Sequence, residues 1–255
     1  MKFMRASHFG PTLLVTTLAY LFSRNFFSFS SALLIALTIF TGQLLVGWTN
    51  DLVDFESDLQ QNRREKPLVV GDLTVGALRR ITLLVLPLCV ALSLFGPLGL
   101  KGGALHLLGV GCGVAYNFYF KNTALSPIPY AIAFACLPIT PFIAAEKSIP
   151  TWMFFAGAIF GIVAHFANVL KDLESDRDQG IRGLPQLLGA KVDLFICIGL
   201  LGILTIVLGN ERAAVAPYAY GASLTGAVLI AYRPKKLAFP VIMALALLAV
   251  LAVAF

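Results

Sequence analysis

The sequence predicts an all-α fold: a multi-pass membrane bundle of nine transmembrane helices, built as two parallel four-helix repeats plus a ninth helix. Three observations predict it. Of the 255 residues, 58% are hydrophobic and only 13% charged, and a mean hydropathy of +0.86 excludes a water-soluble domain. Cutting the chain at every Lys, Arg, Asp and Glu leaves nine uncharged runs of at least 17 residues. Two of the charged segments between those runs repeat one another.

The runs are 6–23, 25–50, 81–100, 102–120, 122–145, 148–170, 194–210, 213–232 and 237–255. A hydrocarbon core about 30 Å thick needs roughly 20 helical residues, so each run is long enough for one crossing. The short alternating strands of a membrane barrel, the other lipid-spanning solution, are absent from the pattern. The first run follows Lys2 and Arg5 as a signal peptide would, but the stretch from Phe22 to Phe27 offers no small-residue cleavage site. It reads as a retained first helix. Gly109, Gly111 and Gly113, with Gly157 and Gly161, read as small residues that let helices approach closely rather than as a phosphate loop. Cys89, Cys112, Cys136 and Cys197 are scattered singly in apolar runs and read as packing residues. The whole chain, 1–255, is expected to be one domain, with pseudo-repeat units of about 6–121 and 122–236 and a ninth helix at 237–255.

The loops of a nine-helix bundle alternate sides, and 15 of the 19 basic residues then fall on one side. Arg24, Lys101, Lys147 and Arg212 are the ones opposite. Positive charge is retained in the cytoplasm during insertion. The expected location is therefore a cell membrane, with the N-terminus and the charged face cytoplasmic and the C-terminus outside. The net charge of +6 is a topology signal, and no nucleic-acid partner is expected.

Insertion does not demand acidic residues, yet 11 of the 13 lie in two segments, Asp51 to Asp72 and Asp172 to Asp193. At a constant offset of 118 residues the stretch from Asn50 to Gly71 matches that from Asn168 to Gly189 in ten of 22 positions. Solvated mixed-charge connectors are the plainer account of such loops, but unrelated connectors have no reason to keep a common register. The stretches are copies of one element, and the four helices between them place both on the same membrane face.

Each copy has the spacing Asn-x3-Asp-x3-Asp: Asn50, Asp54 and Asp58 in the first, Asn168, Asp172 and Asp176 in the second. Residues at i, i+4 and i+8 lie along one helix face. Three clustered acceptors repel unless a cation sits among them, and carboxylate with carboxamide oxygens suits Mg2+. Arg63, Arg64 and Lys66 follow the first row, and Arg177 and Arg182 the second. Carboxylates that bind metal beside cations that do not describe a receptor for a diphosphate bridged by Mg2+. Asp51 falls outside the row, with Val169 as its counterpart, so its role is open. Glu56 and Glu174 point off the shared face and are expected to pair with the nearby arginines.

On these residues the chain resembles the UbiA superfamily of intramembrane prenyltransferases, whose two aspartate-rich motifs are NDxxDxxxD and DxxxD. The first is complete here as Asn50, Asp51, Asp54 and Asp58. The second is Asp172 and Asp176, continued by Gly180, Arg182, Leu184, Pro185, Leu188 and Gly189, and Tyr116 with Lys121 is similar to a further family element. The resemblance implies transfer of an isoprenoid chain from a prenyl diphosphate to an acceptor, commonly an aromatic quinone or lipid precursor. It implies Mg2+ held by Asn50, Asp54, Asp58, Asp172 and Asp176; the repeat adds Asn168. It further implies that Arg64, Lys66, Lys121 and Arg182 meet the departing diphosphate. The element after Tyr116 lacks the Pro-rich stretch common in members with aromatic acceptors, which leaves the acceptor type open.

His165 precedes Asn168 and Asp172 by three and seven residues, so it shares their face and is a candidate to bind the acceptor or take its departing proton. His8 and His106 read as packing residues. Phe118, Tyr119 and Phe166 are aromatic candidates for cation–π contact with an allylic cation. Two enzyme alternatives keep the diphosphate site: a terpene cyclase, and a phosphoribosyl-transferring relative. A transporter is the alternative of another class. It would need polar residues along a midplane path, and few exist.

Overall fold

A helix as long as Phe29–Gln60 carries its last residues out of a bilayer. At 1.5 Å per residue, about 20 residues cross a core of about 30 Å, so of its 32 residues the stretch from Asn50 onward emerges at one surface. In this computed structural model, which describes residues 2–6, 9–211 and 216–254, every regular element is helical. His8 and Arg212, and the start of the run at 213, lie outside the described residues.

The elements are α1 (Lys2–Arg5), α2 (Phe9–Arg24), α3 (Phe29–Gln60), α4 (Val75–Phe95), α5 (Gly99–Phe118), a 3-10 turn (Phe120–Asn122), α6 (Pro127–Ala144), α7 (Thr151–Val169), α8 (Leu173–Asp178), α9 (Leu184–Leu188), α10 (Ala190–Glu211), α11 (Ala216–Tyr232) and α12 (Pro234–Ala254). Among the described residues α3, α4, α6, α7 and α10 are long and apolar enough to cross a membrane. The chain is a multi-pass helical membrane protein.

Local chemistry sets the boundaries. The Ser31 amide donates to the Ser28 hydroxyl at the start of α3, and the Ala77 amide donates to Thr74 at the start of α4. α4 stops at Gly96, where an added Cβ would meet the Leu92 carbonyl oxygen at 2.3 Å, and Pro97 follows.

The chain divides into two units, Met1–Phe118 with Thr140–Ser148 and Tyr119–Ile139 with Ile149–Phe255. In the first, α3 packs against α2, α4 and α5, and α4 also packs on α5. His106 of α5 is buried, with Nδ1 2.8 Å from the Ser93 hydroxyl of α4, which is the packing role expected of it. Gly113 lies against Val46, whereas a Cβ on Gly111 would meet nothing within 4 Å, so it is not the close-packing glycine expected. In the second unit α7, α10, α11 and α12 pack around a closed ring, each on the next. Cβ atoms on Gly157 and Gly161 would meet the backbone oxygens of Phe134 and Tyr130 at 2.5 and 2.3 Å, so both are the small contact residues expected. None of the four cysteines forms a disulfide.

Candidate functional site

In the first unit Asn50, Asp54 and Asp58 occupy one uninterrupted helix, the emerging end of α3, as their spacing predicts. Asn50 Nδ2 donates to Asp54 Oδ2 at 2.8 Å, so the amide nitrogen of Asn50 is turned to the carboxylate and its oxygen is the atom able to act as a ligand. Behind the row, Asn117 of α5 donates to the Val46 carbonyl at 2.9 Å and to the Thr49 hydroxyl at 3.0 Å, fixing the turn that ends at Asn50. Asn117 is buried, and sequence reasoning passed over it in favour of its half-buried neighbour Tyr116. A polar amide in an otherwise apolar helix was the available signal.

α3 ends in a left-handed residue, Asn62 (φ 52°), and the Arg63 amide closes the turn on the Asp58 carbonyl at 3.1 Å. The loop then doubles back, because Leu68 and Leu73 are buried with Leu44, Leu45 and Trp48 of α3. Trp48 Nε1 also donates to the Phe3 carbonyl at 2.8 Å, tying α1 to the same cluster. This return brings Lys66 over the carboxylates. Its ammonium bonds Asp51 and stands 3.8 Å from Asp58 Oδ2, while Arg63 Nε lies 3.5 Å from Asp58 Oδ1. Arg64 is exposed, its Nε near the Asn62 side chain.

The second unit departs from the expected single row. α7 ends at Val169, and the Asp172 amide reaches back only three residues, to the Val169 carbonyl at 2.9 Å. That tightened turn breaks the i, i+4, i+8 progression, so Asn168 lies in the last turn of one helix while Asp172 precedes the next and Asp176 lies within it. The closing turn nevertheless repeats that of the first copy. Gly180 (φ 77°) replaces Asn62 in the left-handed position, and the Ile181 amide donates to the Asp176 carbonyl at 2.9 Å.

Asp176 Oδ2 accepts from Gln186 Nε2 at 2.8 Å, and Arg177 Nε donates to the Gln186 carbonyl at 2.6 Å. Asp193, buried in the first turn of α10, interacts electrostatically with Arg177. Sequence reasoning missed Gln186; its one signal is that an amide replaces Leu68 of the first copy. Asp172 is half-buried, with Lys171 Nζ 3.9 Å from Oδ2. Glu174 pairs with Lys235 at 2.8 Å, not with an arginine as expected, and this contact holds its carboxyl below the usual range.

His165 is buried in α7. Its Nε2 lies 3.0 Å from the Ser126 hydroxyl, which also accepts the Leu184 amide at 3.0 Å. The Tyr130 ring is 4.9 Å from the imidazole, and the Tyr130 hydroxyl hydrogen-bonds the Asn168 side chain. A Cβ on Gly183 would meet the Lys121 carbonyl at 2.8 Å, so the Lys121 turn lies against the segment that carries exposed Arg182. Phe166 is buried beside His165, while Phe118 and Tyr119 are exposed.

Among the described residues no three His, Cys, Asp or Glu side chains converge on one point fit for a metal ion. Mg2+ does not require it, since this ion keeps several waters and takes one or two carboxylates together with substrate phosphate oxygens. The Asn50–Asp54 oxygens fit that donor set, with Asp58 one turn on.

No curated protein matches the chain in sequence. Among solved structures it is similar to a UbiA homolog from Archaeoglobus fulgidus bound to GPP and Mg2+ (19% identity, TM-score 0.77, covering 100% of this chain and 99% of that one). The same homolog bound to DMAPP and Mg2+ gives 17% identity, a TM-score of 0.75 and coverage of 98% and 99%. A UbiA homolog from Aeropyrum pernix K1 gives 19%, 0.74, 95% and 96%. These likenesses establish the fold. The family described as the UbiA prenyltransferase family matches residues 11–255, and with both aspartate-rich segments in place the chain belongs to that family of prenyltransferases.

Proposed function

We propose that the protein catalyses Mg2+-dependent transfer of an isoprenoid chain from a prenyl diphosphate to an acceptor, an aromatic quinone precursor or a related lipid precursor, at the cytoplasmic face of a cell membrane. The observation that carries this reading is the Asn50–Asp54–Asp58 row on the emerging end of α3, with Lys66 and Arg63 folded back beside it. Family membership and the solved homologs bound to Mg2+ with GPP or DMAPP support it.

Asn50, Asp54 and Asp58 of the first segment and Asn168, Asp172 and Asp176 of the second supply hard oxygen ligands. Mg2+, when bound, neutralises the charge that builds on the diphosphate as it leaves. Arg64 and Lys66 of the first unit, and Lys121 and Arg182 of the second, are assigned as donors to diphosphate oxygens. The bond between the allylic carbon and its oxygen breaks with both electrons going to the diphosphate. The acceptor's electron pair then forms the new bond to that carbon and the acceptor loses a proton. His165, whose Nε2 lies against the Ser126 hydroxyl, is assigned to that proton. Exclusion of water protects the cation until attack.

The nine long helices among the described residues are read as nine crossings, with the N-terminus inside and the C-terminus outside. The test is purified protein incubated with labelled prenyl diphosphates, with and without aromatic acceptors. A prenylated acceptor formed only with Mg2+ supports the proposal. Diphosphate release without acceptor, yielding a cyclic hydrocarbon, replaces it with a cyclase.

A further inference from the structure

Asp51 stands outside the Asn50–Asp54–Asp58 row, yet it is the most buried carboxylate of that segment, 2% exposed against 5% for Asp58. Its partner comes from 15 residues further along the chain: the Lys66 ammonium bonds Asp51 Oδ1, and the Lys66 side chain is itself only 12% exposed. A lysine is a point charge on a flexible four-carbon stem, so a fixed carboxylate is what gives its ammonium a defined place. That place is beside Asp58, 3.8 Å from Oδ2.

The internal repeat adds an independent observation. Asn50, Asp54 and Asp58 all recur, as Asn168, Asp172 and Asp176, but position 51 becomes Val169 and position 66 becomes Leu184. Carboxylate and ammonium are present together in one copy and absent together from the other. They form a unit separate from the repeated oxygen row.

We propose that Asp51 is a positioning residue for Lys66 and not a metal ligand: it holds the ammonium beside Asp58, ready to meet the diphosphate. The inference rests on the assignment of Lys66 to the diphosphate in the proposed function. Lost with Asp51 would be the preset location of a charge, not a coordination bond.

The test uses the full chain in lipid nanodiscs, with inorganic diphosphate affinity measured calorimetrically in Mg2+, Mn2+ affinity measured by electron paramagnetic resonance without diphosphate, and thermal unfolding. Asp51→Asn is expected to weaken diphosphate binding about tenfold or more, as loss of an outer partner of a binding group does, while Mn2+ affinity is unchanged. Asp51→Glu should recover most of the loss. In a Lys66→Met background, where no buried ammonium is left unpaired, Asp51→Asn should have no further effect on diphosphate. The inference is overturned if Asp51→Asn weakens Mn2+ binding as much as diphosphate binding, if it acts equally with Lys66 absent, or if it lowers only the melting temperature. Wild-type diphosphate affinity in Lys66→Met alone would instead overturn the assignment of Lys66, and this inference with it.

Discussion

Gln186 Nε2 donates to Asp176 Oδ2 at 2.8 Å from a side chain that is 5% exposed. In the first copy the equivalent carboxylate, Asp58, is approached by Arg63 and Lys66 instead. A neutral amide thus reaches the last aspartate of one copy, and two cations reach that of the other.

Gln186→Leu, which installs the residue of the first copy, should release Asp176 to rotate. Metal affinity measured with Mn2+ is expected to weaken about tenfold, the scale seen for outer partners of metal ligands. Asp176 is only half-buried and water can replace the amide, so the melting temperature should move little. Unchanged Mn2+ affinity would show that Asp176 needs no orientation by Gln186.

His165→Ala separates chemistry from support. As the group that takes the acceptor proton, His165 should account for about 10²- to 10⁴-fold in kcat, with KM for the prenyl diphosphate unchanged. Ser126→Ala, which leaves the Leu184 amide without its acceptor, should cost about 1–3 kcal/mol of stability. If His165→Ala changed only thermal stability, as Ser126→Ala is expected to, the imidazole would be a structural link to the Ser126 segment and no base.

The approach of α6 to α7 should be equally measurable. Gly161→Ala drives a Cβ to 2.3 Å from the Tyr130 carbonyl and is expected to destabilise by about 1–3 kcal/mol, whereas Gly111→Ala, with nothing within 4 Å, should be tolerated. Equal melting temperatures for the two variants would contradict the close contact.

Helical periodicity made the first oxygen row legible, because α3 runs unbroken through Asp58. The second row was legible in residue type only. One amide bonding three residues back, Asp172 to Val169, ends the helix, and spacing alone gives no sign of it. The matched left-handed positions Asn62 and Gly180 show how a repeat read from side chains extends to backbone conformation. The partners of Lys66 and Glu174 were not legible, since each depends on a distant segment returning: the loop pinned by Leu68 and Leu73, and the start of α12 at Lys235. Nine apolar runs were visible, and among the described residues five helices meet the length and hydropathy of a span; α2 and α11 are short, at 16 and 17 residues, and glycines with Lys101, His106 and Asn117 dilute α5.

Both aspartate-rich segments are proposed to serve Mg2+-dependent prenyl transfer. Its most direct measurement is turnover of labelled prenyl diphosphate by Asp54→Ala and Asp172→Ala, with Mg2+ and after chelation. Each substitution should abolish the transfer, as chelation should in the unsubstituted protein, while the melting temperature stays near that of the parent. Full activity in either variant, or transfer that survives chelation, would contradict the account.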